Sequence, residues 1–337
     1  MEQLNTQASL KRSHIELGIS AINGLVGDNL RKKNSALAVT MGFYHQNRRL
    51  ALSTSQFQKL EPAVSKKIVI LVHGLSSHEQ MWSFPESLKT QAGDVSYGSL
   101  LADDFGYTPL YVRFNSGLHI SENGRYLSSL INELLEVYPI EVEDIMLIGH
   151  SLGGLVIRSA CYYAQDSDAQ WHHKVSKAFY LGTPHLGTPW EDATDGLYQW
   201  LGEKNHPVAK AISNAYSGRS SAIQDLRYAR LIDEDWKHDV KTTTAIDWLA
   251  DTEHYFIVAT LLNNPSHPFS ALLGDMLVPP HSANAMSAMH LNMPNPPNVE
   301  KNSAIIAGVN HLRLAFSAEV YRCIKNWLSE DQQTVAA

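Results

Sequence analysis

Gly149-His150-Ser151-Leu152-Gly153 stands where one apolar run ends and another apolar pattern begins. Asp144-Ile145-Met146-Leu147-Ile148 predicts a buried strand, because a short aliphatic run suits a parallel sheet covered on both faces. Leu152, Leu155, Val156, Ala160 and Cys161 then recur at helical spacing. A serine between a strand and a helix sits on a sharp, strained turn whose flanks admit no bulk, and Gly149 and Gly153 meet that demand. The turn lifts the hydroxyl clear of the sheet, and the helix N-terminus places partial positive charge beneath it. The chemistry implied is nucleophilic attack by the Ser151 oxygen.

A neutral hydroxyl is a weak nucleophile, so it needs a base, and the base needs an orienting acid. In strand–serine–helix sites the acid and then the histidine follow later in the chain, each at the carboxyl end of a strand. Asp275 fits the acid's place in Gly274-Asp-Met-Leu-Val-Pro279, after a strand at 255–259. A carboxylate among those apolar neighbours needs a hydrogen-bond donor, which an imidazole supplies. Asp233, Glu234, Asp235, Asp251 and Glu253 compete; the first three fall in an insertion and the last two enter the strand from its amino end. His281, His290 and His311 all follow Asp275. His311 is preferred because it stands between a strand at 303–307 and the closing helix. A tetrahedral intermediate also needs an oxyanion hole. The Leu152 N–H at the first helical turn provides one donor. The Leu75 N–H, after the strand at 67–72 and the turn-permitting Gly74, provides the other.

The elements that must hold these groups alternate along the chain. Strands are predicted at 67–72, 108–113, 144–148, 176–181, 255–259 and 303–307, and helices near 97–105, 122–138, 152–164 and 317–328. Such alternation predicts an α/β fold with a mostly parallel central sheet and helices on both faces. Residues 1–35 read as a helical extension, with Ser13-His-Ile-Glu16 as a capping box, Ile15, Ile19, Ile22 and Val26 on one face, and Gly27-Asp28-Asn29 as its end. Runs at 39–44 and 49–53 around a polar turn suggest a hairpin. The core then comprises 36–186 and 251–337, and 187–250 is a helical cap inserted after the sixth strand. Its aromatics, Trp190 and Trp200 among them, supply apolar walls, and His78, Met81 and Trp82 after the oxyanion loop form the opposite wall. The competing reading makes this insertion a structural subdomain over the sheet edge.

Composition bounds the function. The chain has 337 residues, 44% apolar and 18% charged, which is ordinary for a globular protein and argues against disorder. A net charge of −7 without a long basic run argues against nucleic acid. The two cysteines lie on apolar helix faces and read as core residues, not a disulfide. Neither a secretory leader nor an apolar run of about eighteen residues is visible, so a cytoplasmic protein without a transmembrane span is expected. His172-His173 lacks the spacing of a metal pair and His78-Glu79 lacks a second histidine, so no metal and no cofactor are expected.

Val72-His-Gly74, Gly149-His-Ser-Leu-Gly-Gly154, Leu181-Gly-Thr-Pro-His-Leu-Gly187 and Gly274-Asp with Leu-Val-Pro279 together resemble the α/β-hydrolase superfamily. Within it they are most similar to the lipase-like group related to GPI inositol-deacylases (PGAP1-like), over roughly residues 66–330. Asn115-Ser-Gly-Leu-His-Ile-Ser-Glu-Asn-Gly124 resembles a segment of bacterial esterases, which makes Asn115 a candidate substrate-binding residue. The resemblance implies hydrolysis of a small-molecule or lipid ester through Ser151, Asp275 and His311. Met276 departs from the glycine that relatives often carry there. Inositol-deacylases of eukaryotes are embedded in membranes, so their substrate does not transfer to a chain without a span. A thioesterase, amidase or acyltransferase would use the same triad, and a catalytically dead binding protein could share the fold.

Overall fold

The computed structural model describes residues 2–45, 48–60, 63–85, 95–188, 220–237, 244–261 and 298–336. Eight strands form one sheet: β1 (Gly42–His45), β2 (Arg48–Arg49), β3 (Lys67–Val72), β4 (Thr108–Arg113), β5 (Asp144–His150), β6 (Val175–Leu181), β7 (Glu253–Thr260) and β8 (Ser303–Ala307). Their order is β2-β1-β4-β3-β5-β6-β7-β8. β1 runs antiparallel to β2 and β4, and all other neighbours are parallel. This is the mostly parallel sheet that the alternating pattern predicts.

The apolar runs are two-sided cores read along a strand. In β3, Ile68, Ile70 and Val72 face one core while Val69 and Leu71 face the other. Alternate side chains of a strand point to opposite faces, so a sheet buried on both sides needs an unbroken apolar run. The first face packs under α4 (Ile120–Val137) and α5 (Leu152–Asp166), through Leu127, Ile131, Leu155 and Val156. The second packs under α3 (Tyr97–Phe105) and the closing helix, through Tyr97, Leu101, Val320 and Ile324. A short helix, α2 (Thr54–Phe57), precedes β3. Pairing of Val72 with Gly149, and of His150 with Leu181, brings the exits of β3, β5 and β6 to one edge of the sheet.

The first helix departs from expectation. α1 spans Glu2–Lys32, so position 13 lies within it and not at its start, and the helix runs on past Gly27. A kink at Val26 (φ −142°) interrupts it instead. Of the expected apolar face Val26 is buried, Ile19 and Ile22 are half-buried and Ile15 is exposed, and the buried face otherwise carries Ser20, Ala21, Asn23, Gly24, Gly27 and Asp28. A stripe of small residues, not isoleucines, docks this helix. The hairpin strands are also shorter than the runs that suggested them.

Within 187–250, the described residues carry α6 (Ser221–Tyr228) and α7 (Asp233–Lys237). α6 packs on α4, and α7 is bonded to both α4 and α5. Asp225 accepts the Ile120 N–H (3.0 Å) and a His119 ring N–H (2.9 Å), Trp236 stacks on His119 at 3.9 Å, and Ser159 donates to the Leu231 carbonyl (2.6 Å). The closing helix, α8, covers Ala318–Ala336.

Candidate active site

Ser151 is the turn between β5 and α5. Its backbone sits at φ 53°, ψ −123°, a region that non-glycine residues avoid at a cost of about 1–3 kcal/mol. Three contacts hold it there. Its N–H donates to the Leu181 carbonyl (2.9 Å), its own carbonyl accepts from Gly154 (3.0 Å), and α5 lies directly on β3. A methyl group on Gly153 would overlap the Val72 carbonyl and stand 2.6 Å from that of His73. That close approach is why glycine occupies the position. Ser151 itself remains half-buried while Leu152 is fully buried.

The loop after β3 is held by its own histidine. His73 is fully buried and stacks on Phe114 with ring centroids 4.3 Å apart. Its Nε2 accepts from the Phe114 N–H (3.3 Å), which leaves Nδ1 to donate to the Gly74 carbonyl (2.8 Å). Burial pushes its pKa down to about 3, so the ring stays neutral and the tautomer stays fixed. The Gly74 carbonyl and the Leu75 N–H belong to one planar trans peptide and point in opposite directions. Pinning the carbonyl therefore aims the Leu75 N–H. The next peptide is pinned as well, because the Ser76 N–H donates to Ser116 Oγ (2.9 Å). Gly74 lies against Ser151, since a methyl on it would stand 3.2 Å from Ser151 Cβ.

His311 comes to the same corner from β8. A hydrogen bond from Gly308 N–H to the Thr260 carbonyl (2.7 Å) turns the chain off the strand, and His311 opens a single helical turn, Leu312–Ala315. Its ring lies against Gly182, where an added methyl would stand 3.0–3.1 Å from Cε1 and Nδ1. Gly182 follows Leu181, whose carbonyl holds the Ser151 N–H. The buried His150 closes the corner, with Nε2 donating to the His311 carbonyl (2.8 Å) and its ring 4.8 Å from that of His311. Burial, reinforced by the neighbouring His311, pushes the His150 pKa down to about 3, so His150 serves as a neutral donor.

Ser151, Leu152, Leu75 and His311 thus meet at one edge of the sheet. Asp275, His281, His290, Trp190 and Trp200 lie outside the described residues. Three of the five competing acids are placed elsewhere: Asp233 pairs with Arg125 (2.5 Å) and Lys237 (2.8 Å), Asp235 accepts from Leu231 N–H (3.0 Å), and Glu253 opens β7 at the far end. Trp82 is fully buried, its ring edge-on to His150 at 6.5 Å. His78 is buried at the start of the turn Glu79–Trp82, and the half-buried Met81 accepts from Ser77 Oγ (3.2 Å). Asn115 donates to the Gly27 carbonyl (2.9 Å) and accepts from Gly117 N–H (3.1 Å), so its side chain ties α1 to the loop after β4. His73, His150 and Ser116 were not singled out from sequence as parts of the site. All three lie in the quoted motifs, His73 after β3, His150 beside the serine and Ser116 in the 115–124 segment, and that membership is the signal that could have found them. Among the described residues no group of three His, Cys, Asp or Glu could hold a metal, and no helix is long and apolar enough to cross a membrane.

A mixed eight-stranded sheet with a strained serine between its fifth strand and the following helix defines an α/β-hydrolase. The chain belongs to the family of the PGAP1-like alpha/beta domain, whose model matches residues 42–250. Solved structures similar to it include the mature lipase BlEst2 of Bacillus licheniformis, with 16% identity over 79% of this chain and 93% of that one and a TM-score of 0.48. The esterase Pf2001 of Pyrococcus furiosus follows with 15% identity over 79% and 81% and a TM-score of 0.43. A lipase-esterase related protein of Clostridium acetobutylicum has 15% identity over 78% and 94% and a TM-score of 0.40. No curated protein matches the sequence.

Proposed function

We propose that this protein is a serine carboxylesterase or lipase that hydrolyses carboxylic esters through an acyl-enzyme at Ser151. The observation that carries the reading is the strained backbone of Ser151, held over the Leu181–Gly182 corner on which the His311 ring also rests. Backbone strain of this size persists only where surroundings over-determine it, and its effect here is to present the hydroxyl.

In this reading His311 takes the Ser151 proton as the oxygen bonds to the ester carbonyl carbon. The carbonyl π-electron pair moves to oxygen, and the Leu75 and Leu152 N–H groups stabilise that charge. Collapse expels the alcohol, which receives the proton from His311 and leaves the acyl group on Ser151. Water then repeats the sequence, releasing the carboxylic acid and restoring the serine. Asp275 orients the imidazole and stabilises its charged form. His78 and Met81 stand beside the oxyanion loop as one wall for the ester, and Trp190 and Trp200 supply the other.

A fluorophosphonate probe tests the assignment. It is expected to label one site, on the peptide carrying Ser151. Labelling elsewhere, or none in protein that is folded by circular dichroism, would sink the proposal. Rates on matched p-nitrophenyl esters, thioesters and anilides of increasing acyl length then test ester preference; faster thioester or anilide turnover would replace the esterase reading with one of its relatives. If the cap aromatics line the acyl pocket, Trp190→Ala or Trp200→Ala shifts acyl-length preference more than it lowers the melting temperature.

A further inference from the structure

α1 is fastened to the loop that carries Leu75, and the fastening is backbone against backbone. A methyl on Gly24 would overlap Ser76 Oγ and stand 2.7 Å from both Ser76 Cα and Ser76 N. A methyl on Gly27 would overlap the Asn115 side chain. Ser76 is fully buried and sits at φ 58°, a conformation that serine adopts at a cost unless its neighbours enforce it. Its N–H is held by Ser116, and its hydroxyl points to the Ala21 carbonyl of α1 at 3.4 Å.

The kink at Val26 belongs to the same fastening. It takes carbonyls out of the helical ladder, and a buried carbonyl must find another donor. Gly24 O accepts from Ser220 Oγ (2.7 Å) and Gly27 O accepts from Asn115 Nδ2 (2.9 Å). Ten residues before the kink, Glu16 accepts from Arg113 (2.9 Å), and the same guanidinium grips Glu79 through both carboxylate oxygens. The loop from His73 to Glu79 is therefore braced against α1 at Ser76 directly and at Glu79 through Arg113.

We infer that α1 is a positioning element for the oxyanion hole, and that contact between Gly24 and Ser76 fixes the far side of Leu75, so that the Leu75 N–H aimed by His73 keeps its place. The Leu75 N–H lies on the peptide before the Leu75–Ser76 one, so a displacement of Ser76 reaches the donor through the backbone torsions of Leu75 and works against the hold of His73 on the Gly74 carbonyl. The catalytic consequence rests on the esterase reading above; the control of the Leu75 amide by α1 does not.

Gly24→Ala in the full-length chain tests the inference, with Gly18→Ala as its control, since a methyl on Gly18 meets nothing within 4 Å on the same helix. On p-nitrophenyl butyrate, Gly24→Ala is expected to lower kcat about tenfold or more while KM changes less than about threefold, because an oxyanion donor acts in the transition state. Gly18→Ala is expected to leave both within about twofold. The Leu75 amide, observed in leucine-selective 15N spectra and assigned with Leu75→Ile, is expected to shift in Gly24→Ala and to stay in place in Gly18→Ala. Should Gly24→Ala fail to fold, Glu16→Ala releases the second brace and is expected to move the same amide with a smaller loss of kcat. A Leu75 amide that ignores the folded variants overturns the inference. An amide that moves in a wild-type background lacking esterase activity upholds the strut and retracts the esterase reading.

Discussion

At the scale of single residues, the site works by fixing groups that would otherwise be free. Ser151→Ala is expected to lower kcat at least about a thousandfold with the fold intact, and His311→Ala to match it, the double variant losing little more because the two act as a unit. Steady-state kinetics and circular dichroism on the three proteins check this; additive losses would mean that His311 is not the base. Asp275→Asn is expected to cost about a hundredfold or more by misdirecting the imidazole. His73 offers a subtler case. His73→Phe keeps the stack on Phe114 but removes the hydrogen bond that aims Leu75. kcat should fall by tens to about a hundredfold, with KM little changed, since losing a whole oxyanion donor costs about 10²–10³. An equal rise in KM would show that the loop serves binding instead.

At the scale of elements, the loop after β3 depends on an ion pair as well as on packing. Glu79 is 3% exposed. Burial acts to raise its pKa, but His78 and the paired Arg113 outweigh burial and hold the carboxyl at about 2. Its folded pKa is thus depressed below the unfolded value of about 4.3. The stability it contributes is fully present above that value and is lost as pH falls toward 2. Glu79→Gln is expected to cost about 2–3 kcal/mol near neutrality and much less at the bottom of that window. Denaturant melts of both proteins at several acid pH values measure it, and a constant difference would assign the loss to shape, not charge. Elements with a clear apolar run or period were legible from sequence: β3, β4, β8 and α3 lie at the expected residues. α1 was misjudged because its docking face is glycine, alanine, serine and asparagine, which carry no hydrophobic period. Ser151 was legible because strain leaves a local mark, two flanking glycines. The duties of His73 and His150 were not, since each is defined by a partner 41 or 161 positions away.

At the scale of the whole molecule, the end of the insertion is tied to the helical layer by a buried charge. Arg158 of α5 is 3% exposed, lies over the Trp248 ring at 4.0 Å and donates weakly to the Ile246 carbonyl (3.5 Å). Burial pulls its pKa down to about 10, so it stays charged at neutral pH. Among the described residues no carboxylate pairs with it. A desolvated cation–π contact is worth about 2 kcal/mol, against a burial penalty of several. Arg158→Met is therefore expected to be neutral or stabilising, whereas Trp248→Ala should cost about 3–5 kcal/mol by emptying a space shared with Tyr180 and Phe256. Chemical denaturation decides between them, and a loss above about 2 kcal/mol for Arg158→Met would mean that the guanidinium holds the layers together.

The bond between His150 and His311 joins positions 161 apart, and it gives the site a timetable. At about 5–20 residues per second, a ribosome adds His311 roughly 8–30 seconds after His150 and the neighbouring serine. Through that interval β3 and β5 are already made while β6, β7 and β8 are still being added, and on the proposed reading the base does not yet exist. On the proposed esterase reading, a growing chain of this kind is chemically silent until the turn after its last strand is supplied. On that reading a chain terminated before His311 is expected to stay silent, whatever part of the sheet it folds.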